Sequence, residues 1–490
     1  MSPYILLTFV AGYFLLLLGV AWYTSRNSNN DSFFIGNKNS NWMLVAFGMI
    51  GTSLSGVTFV SVPGGVGKES FAYFQIVVGY LIGYFVVAYV LLPLYYKLNL
   101  TSIYNYLRGR LGVASYKTGA SFFILSRTLG ATARLYLVVK ILQDAILSQL
   151  GVPFWVTTII ILVMILIYTY EGGVKTIVFT DTLQTMFMLT GLVVCTIYIM
   201  NAMDLNPLSA VDAMKEKGYS KIFFSDPMSK LFFVKQILAG IFITITMTGM
   251  DQEMMQKTIS VKRLGDSQKN IITLSIIMVG VLLLFLFLGA LLHLYATQQG
   301  VAATGDKLFP EIALRHMPPV VSIIFIIALI SALFPSADGA ITALTSSVCI
   351  DIIGIQRRDD MDEAWKKKLR QRVHLAVAFV FLLFVLMFYQ INNPSMIGVI
   401  LKVAAYTYGP LLGLFAFGIL TRRSVQDKLV PLVCIAAPII CFFIDKYQKE
   451  LFGEFQIGSE LLILNGLLTF AGLLMISKNN SARNVETGVN

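Results

Sequence analysis

Apolar runs of about 20 residues, each long enough to cross a bilayer as a helix, recur along this chain from its third residue almost to its end. They leave no stretch longer than a loop for a separate water-soluble unit. Of 490 residues, 57% are apolar and 13% charged, against about 25% charged in soluble domains. An all-α polytopic membrane protein follows. The net charge of +11, which in a soluble chain would point to nucleic acid, here reflects orientation and lipid contact. Cys195, Cys349, Cys434 and Cys441 lie in or beside apolar runs without metal-ligand spacing and read as packing residues. The first run lacks the small-residue cleavage site of a signal peptide and reads as a retained helix.

Thirteen spans are expected, near 3–24, 42–65, 73–97, 117–149, 154–170, 174–200, 231–256, 270–298, 319–353, 374–391, 395–421, 428–445 and 460–477. With the N-terminus outside, the inside loops and tail hold 23 Lys and Arg, including Arg26, Lys257, seven in 357–372 and Arg483, against ten outside. That asymmetry places the C-terminus in the cytoplasm. The run 357–372, with Asp359, Asp360, Asp362 and Glu363 interleaved, reads as a solvated loop that sets topology.

Three spans carry polar interruptions that hydrocarbon does not tolerate casually. The ninth holds Ser331, a helix-breaking Pro335, Ser336, Asp338, Thr342, Thr345, Ser346 and Ser347 within 329–352. An intramembrane carboxylate costs several kcal/mol, about 3 on insertion scales, and marks a functional site. The second holds GTSLSG (51–56) and VPGGVG (62–67), and the seventh TITMTGMDQ (244–252). Both read as broken helices, whose freed carbonyls line a buried site. Spans two and seven are five apart, so spans two to six and seven to eleven are expected to form inverted repeats with the site between them near the midplane. VPGGVG lacks the lysine and strand of a phosphate loop. His293, His316 and His374 show no metal-ligand spacing.

The segments SGVTFVSVPGG, YEGGVKTIVFTDTLQ, TGMDQEMMQK, SALFPSADGAITALTSSVCID and YGPLLGLFAFGIL, in that order, resemble the sodium:solute symporter family, whose members take up sugars, sialic acids, proline, vitamins and small carboxylates. The resemblance implies a leucine-transporter-like fold in a single transmembrane domain, 1–490. It has an extra N-terminal helix (3–25), a first repeat (42–200), a second (231–421) and two C-terminal helices (428–477). It implies a sodium site on the carbonyls of Gly51, Leu54 and Ala332 and on positions 335 and 336. Oxygen ligands suit a hard cation, and Ala332 and Ser336 lie one turn apart. The family usually has two consecutive serines where this chain has Pro335 and Ser336. Pro335 has no N–H to give the Ser331 carbonyl, and that carbonyl is expected to replace the lost hydroxyl; the competing reading is a plain kink. A second cation site in some relatives maps to Asp181, Asp338 and Gly339. Two carboxylates there require a cation between them or a shared proton; the competing reading bonds Asp338 to Thr342 or a neighbouring helix.

Substrate positions implied by the resemblance are Ser53, Thr58, Gln75, Thr244 and Met247, the last replacing an aromatic gate residue of sugar transporters. Arg134, where similar sialic-acid transporters hold a carboxylate, has the fork geometry for one. The competing reading pairs it with Asp144, Asp251 or Glu253. The leading expectation is sodium-coupled symport of an acidic sugar or carboxylate by alternating access, with sodium as the transported ion and no organic cofactor. The chain is read as a monomer in the plasma (inner) membrane, in contact with lipid and not nucleic acid. Alternatives are a neutral sugar or amino-acid symporter, or a non-transporting sensor or channel. Against a sensor, only 13 residues follow Ser477. An enzyme is disfavoured because no nucleophile with base or metal cluster is evident.

Overall fold

The computed structural model describes residues 3–25, 30–358, 360, 362–391 and 395–478. Arg26, Asp359 and Arg483 of the charge count lie outside them. Nearly every described residue is helical. The principal helices are α1 (Pro3–Thr24), α2 (Trp42–Ser53), α3 (Gly56–Glu69), α4 (Tyr73–Lys97), α5 (Val113–Leu150), α6 (Phe154–Tyr170), α7 (Gly173–Ala202), α8 (Phe233–Gly249), α9 (Gln252–Thr258), α10 (Leu264–Gln299), α11 (Pro319–Ile353), α12 (Glu363–Ile391), α13 (Met396–Thr407), α14 (Gly409–Leu420), α15 (Asp427–Lys446) and α16 (Leu461–Met475). Eight are long and apolar enough to span, or up to eleven with each bent pair taken as one. A two-residue antiparallel ladder, Ser424–Val425 on Ser477–Lys478, ties the start of α15 to the end of α16.

Both expected breaks are present. Asn41 caps α2 by accepting from the Met43 N–H at 2.9 Å. The helix ends at Ser53, Leu54 leaves helical geometry, and α3 departs at 55°. The carbonyls of the last α2 turn therefore lose their i+4 donors. The α8–α9 pair bends by 66°, and Asp251 caps α9 through the N–H groups of Glu253 and Met254 at 2.9 and 3.2 Å. A third bend of 44°, between α13 and α14, was not expected; Tyr408, Gly409 and Pro410 occupy it. The bend between α6 and α7 needs glycine: Gly173 has φ of +51°, and a Cβ there would overlap Phe33.

Two expectations are corrected. Pro335 does not break α11, which runs helical through it. Much of 357–372 is not a loop, since α12 begins at Glu363, and Arg370 is buried 4.1 Å over the Phe33 ring. His374, on the same helix, is buried between the Thr169 and Thr345 hydroxyls, each at 3.0 Å, an environment of structural hydrogen bonds. The four cysteines are free and buried. The core centres on α11, where all residues from 328 to 347 are buried. Its Ser, Thr and Asp side chains thus face protein and not lipid, which is how a helix this polar is tolerated.

Candidate functional site

The α2–α3 break, α4, α5, the C-terminal part of α8 and α13 line a cavity of about 100 Å³. Tyr73, Tyr80 and Tyr84 of α4, spaced to share one helical face, form one wall, with the Tyr73 and Tyr80 hydroxyls 3.3 Å apart. Arg127 and Arg134 of α5 form another. Ser53, Thr58, Thr244 and Met247 all line this space. Gln75 does not. It is fully buried, donating to the carbonyls of Ala72 and Leu231 and accepting from the Phe224 N–H, so it anchors the long 201–230 loop. Tyr73, Ile397 and Leu401 also border a cavity of about 390 Å³ that reaches the loops around Lys230 and Gln448. A larger cavity, about 710 Å³ between α1, the end of α5 and residues 304–315, touches none of the expected sodium or substrate positions, so the smaller central one is the candidate.

The two arginines differ in their company. Arg127 is buried, ion-paired to Glu253, with Asp251 at 3.9 Å. Asp251 also accepts from the Tyr408 hydroxyl at 2.6 Å, which connects the α13–α14 bend to the α8–α9 bend. Asp144 goes to Lys140 at 3.1 Å. All three acids weighed as partners for Arg134 are thus engaged elsewhere. Among the described residues, no carboxylate forms an ion pair with Arg134, which faces the cavity half-buried.

The α2 break meets α11 at Pro335. A Cβ on Gly51 would stand 3.4 Å from the Pro335 ring and overlap the Thr185 hydroxyl, which accepts from the Gly51 N–H at 3.1 Å. Such an approach is open only to glycine. The break that exposes the Gly51 and Leu54 region is thereby held against the α11 turn that carries Ala332, Pro335 and Ser336. The Ser336 hydroxyl donates to the Leu333 carbonyl at 2.9 Å, leaving its lone pairs free to accept or coordinate. The Ser331 hydroxyl donates to Tyr13 at 2.6 Å.

One turn further along α11 the arrangement departs from expectation. Lys257, counted above as an inside-loop cation, is only 3% exposed and reaches Asp181 Oδ2 and Thr52 Oγ1, each at 2.7 Å. Glu253 Oε1 lies 3.6 Å from the same ammonium. Gly339 lets α11 close on this pair: a Cβ there would overlap Glu253 and stand 2.9 Å from Lys257 Nζ. Asp338 accepts from the Tyr168 hydroxyl at 2.7 Å and from the Gly339 N–H at 2.5 Å. Its hydrogen-bonded neighbour is therefore on α6, and not Thr342. Sequence reasoning missed Lys257, Thr52 and the α4 tyrosines, and weighed Glu253 as a partner of Arg134 and not of Arg127 and Lys257. The available signal was the i,i+4 spacing of Glu253 and Lys257 just after an unwound segment, a spacing that pairs charges on one helix face.

These features define a buried polar site at broken helices inside an all-helical membrane bundle, the architecture of a secondary transporter. The chain belongs to the sodium:solute symporter family, whose profile matches residues 33–427. It is similar to the sodium/sialic acid symporter SiaT of Proteus mirabilis (strain HI4320), 23% identical with 97% of this chain and 96% of that protein covered. The sodium/sialic acid symporter NanT of Aliivibrio fischeri (strain ATCC 700601 / ES114) is also 23% identical, over 93% of this chain and 90% of its own. In three dimensions, a Na+-coupled sialic acid symporter in a substrate-bound outward-open state superimposes with a TM-score of 0.82 at 19% identity, covering 96% of this chain and 97% of that one. Mhp1, a nucleobase-cation-symport-1 transporter, gives 0.58 at 14% identity, over 92% and 95%.

Proposed function

We propose that this protein couples the inward flow of sodium to uptake of a small acidic sugar of the sialic-acid type. The observation that carries this reading is Arg134: a guanidinium on the cavity wall with no carboxylate pairing it among the described residues, beside an Arg127 whose charge Glu253 already balances. Even a half-buried guanidinium inside a helical membrane bundle is costly without a partner, and a substrate carboxylate supplies one in bidentate geometry. Full-length similarity to sialic acid symporters supports the same substrate class. Ser53, Thr58, Thr244 and Met247 offer hydroxyls and a soft apolar contact for the rest of the sugar; Gln75 acts through the loop it anchors. Sodium binds between the freed carbonyls of Gly51 and Leu54 and the Ala332–Ser336 turn. The wider cavity beyond Tyr73, Ile397 and Leu401 is the outward route, with the N-terminus outside and the C-terminus cytoplasmic.

On this reading the chain is one transmembrane domain of thirteen spans in a plasma (inner) membrane. The helices from α2 to α7 and from α8 to α14 are inverted repeats, with α1, α15 and α16 added, and the monomer is the working unit. The broken-helix bundle rocks about the central site. The test is uptake of N-acetylneuraminate into proteoliposomes under an imposed inward sodium gradient. Uptake should require the gradient, and Arg134→Gln should lower apparent affinity about 100-fold, about 2.7 kcal/mol, with Arg134→Lys recovering only part because a lone ammonium cannot bind bidentately. Gradient-independent uptake, or acidic-sugar transport unchanged in both variants, would refute it.

A further inference from the structure

We propose that the Lys257 ammonium is a tethered cation filling the second ion position, so that a single sodium ion accompanies each transport cycle. The inference rests on the sodium-symport reading above and deepens it. Three features on three helices converge on one point: Asp181 on α7, Thr52 on the last turn of α2, and Glu253 with Lys257 on α9. Sequence had marked this point, through Asp181, Asp338 and Gly339, as needing either a cation between carboxylates or a shared proton. The ammonium meets that need from within the chain. Of the three N–H donors of the lysine, two are met by Asp181 Oδ2 and Thr52 Oγ1, each at 2.7 Å, and Glu253 Oε1 stands 3.6 Å away as a second carboxylate beside the charge. Gly339 leaves room for nothing larger than hydrogen between α11 and this pair, and Asp338 is turned to Tyr168. A mobile cation arriving here would lose the oxygens that the ammonium holds and would face a like charge at contact distance.

The functional consequence is thermodynamic. An ion that never dissociates carries no gradient energy, so a tenfold sodium gradient without a membrane potential supports about tenfold substrate accumulation and not about 100-fold. The structural consequence is also specific. Thr52 lies on the central cavity wall as well as on Lys257, so the tethered charge sits directly behind the substrate position.

The experiment is equilibrium binding of radioactive sodium to the purified full-length protein without substrate. The wild type should bind one ion per chain. Lys257→Met, which opens the Asp181 oxygens, should bind two, and Lys257→Met combined with Asp181→Asn should return to one. If Lys257→Met does not fold, Lys257→Met with Glu253→Gln deletes one charge of each sign and should also bind two. Two ions on the wild type, or one on a cooperatively melting variant that lacks Lys257 and keeps Asp181, overturns the tethered cation while leaving sodium symport intact. Zero ions on the wild type overturns both.

Discussion

Arg127 and Arg134 are the same residue type seven positions apart on one helix, and what faces each decides its role. Arg127 is held by Glu253 and approached by Asp251, a buried pair whose rupture costs about 3–5 kcal/mol; Arg134 is left for whatever enters the cavity. Pro335 is a second position where one side chain changes the chemistry. Because α11 continues through it, its contribution is a missing N–H at the Ser331 carbonyl and a ring packed on Gly51. Pro335→Ala restores the N–H and deletes the ring, so the sodium concentration for half-maximal uptake should rise about tenfold, about 1.4 kcal/mol. Pro335→Ser should recover part of that loss by supplying a hydroxyl. Identical sodium curves for all three proteins would show that the turn takes no part in ion binding. Arg134 and Pro335 were legible in sequence because a mid-span charge and a mid-span proline are conspicuous against hydrocarbon. Lys257 was not, since a lysine near a span end counts as a loop cation until folding shows it turned inward.

At the scale of elements, the breaks in the second and seventh spans were readable from Gly-, Ser- and Thr-rich interruptions, and the structure has them at 55° and 66°. The third, at Tyr408, carried the signal Gly409–Pro410 but lacks the clustered Gly, Ser and Thr of the other two, with only Thr407 beside it. The charged run that opens α12 misled in the opposite direction, because a helix extending past the apolar band looks like a loop when read by charge alone. What sequence could not supply was distance between elements, and Gly339 shows why this matters. It is one small residue in a long apolar helix, yet it leaves the space that the Glu253 and Lys257 side-chain ends of α9 fill. Gly339→Ala should lower stability by about 1–3 kcal/mol through overpacking, seen as a lower melting temperature in detergent. A melt unchanged by Gly339→Ala would mean the helices have slack that the geometry denies.

Across the whole molecule, one polar network runs from the central cavity through Thr52 to Lys257 and Asp181, and through Arg127 and Glu253 to the same ammonium. Next to it, the unwound turn at Leu54 separates the cavity from the Pro335 turn of α11. On the proposed sites, substrate and sodium share a single piece of backbone, the end of α2, as a wall. A ligand that orders this turn relieves the second ligand of part of the ordering cost, so each should raise the other's affinity. Linkage makes the two effects equal for binding free energies, with couplings of about 1–3 kcal/mol, or about 5–150-fold, being usual. The prediction is that the Kd of N-acetylneuraminate, measured calorimetrically on the purified protein, falls by some factor between sodium-free and sodium-saturated buffer. The sodium Kd should then fall by that same factor when the sugar is saturating. Replacing sodium by potassium should abolish both shifts, since the short carbonyl and hydroxyl shell selects a small hard cation. If sodium changed only the transport rate and left the sugar's Kd untouched, the shared turn would not be the element that couples them, and coupling would have to arise in the rocking step itself.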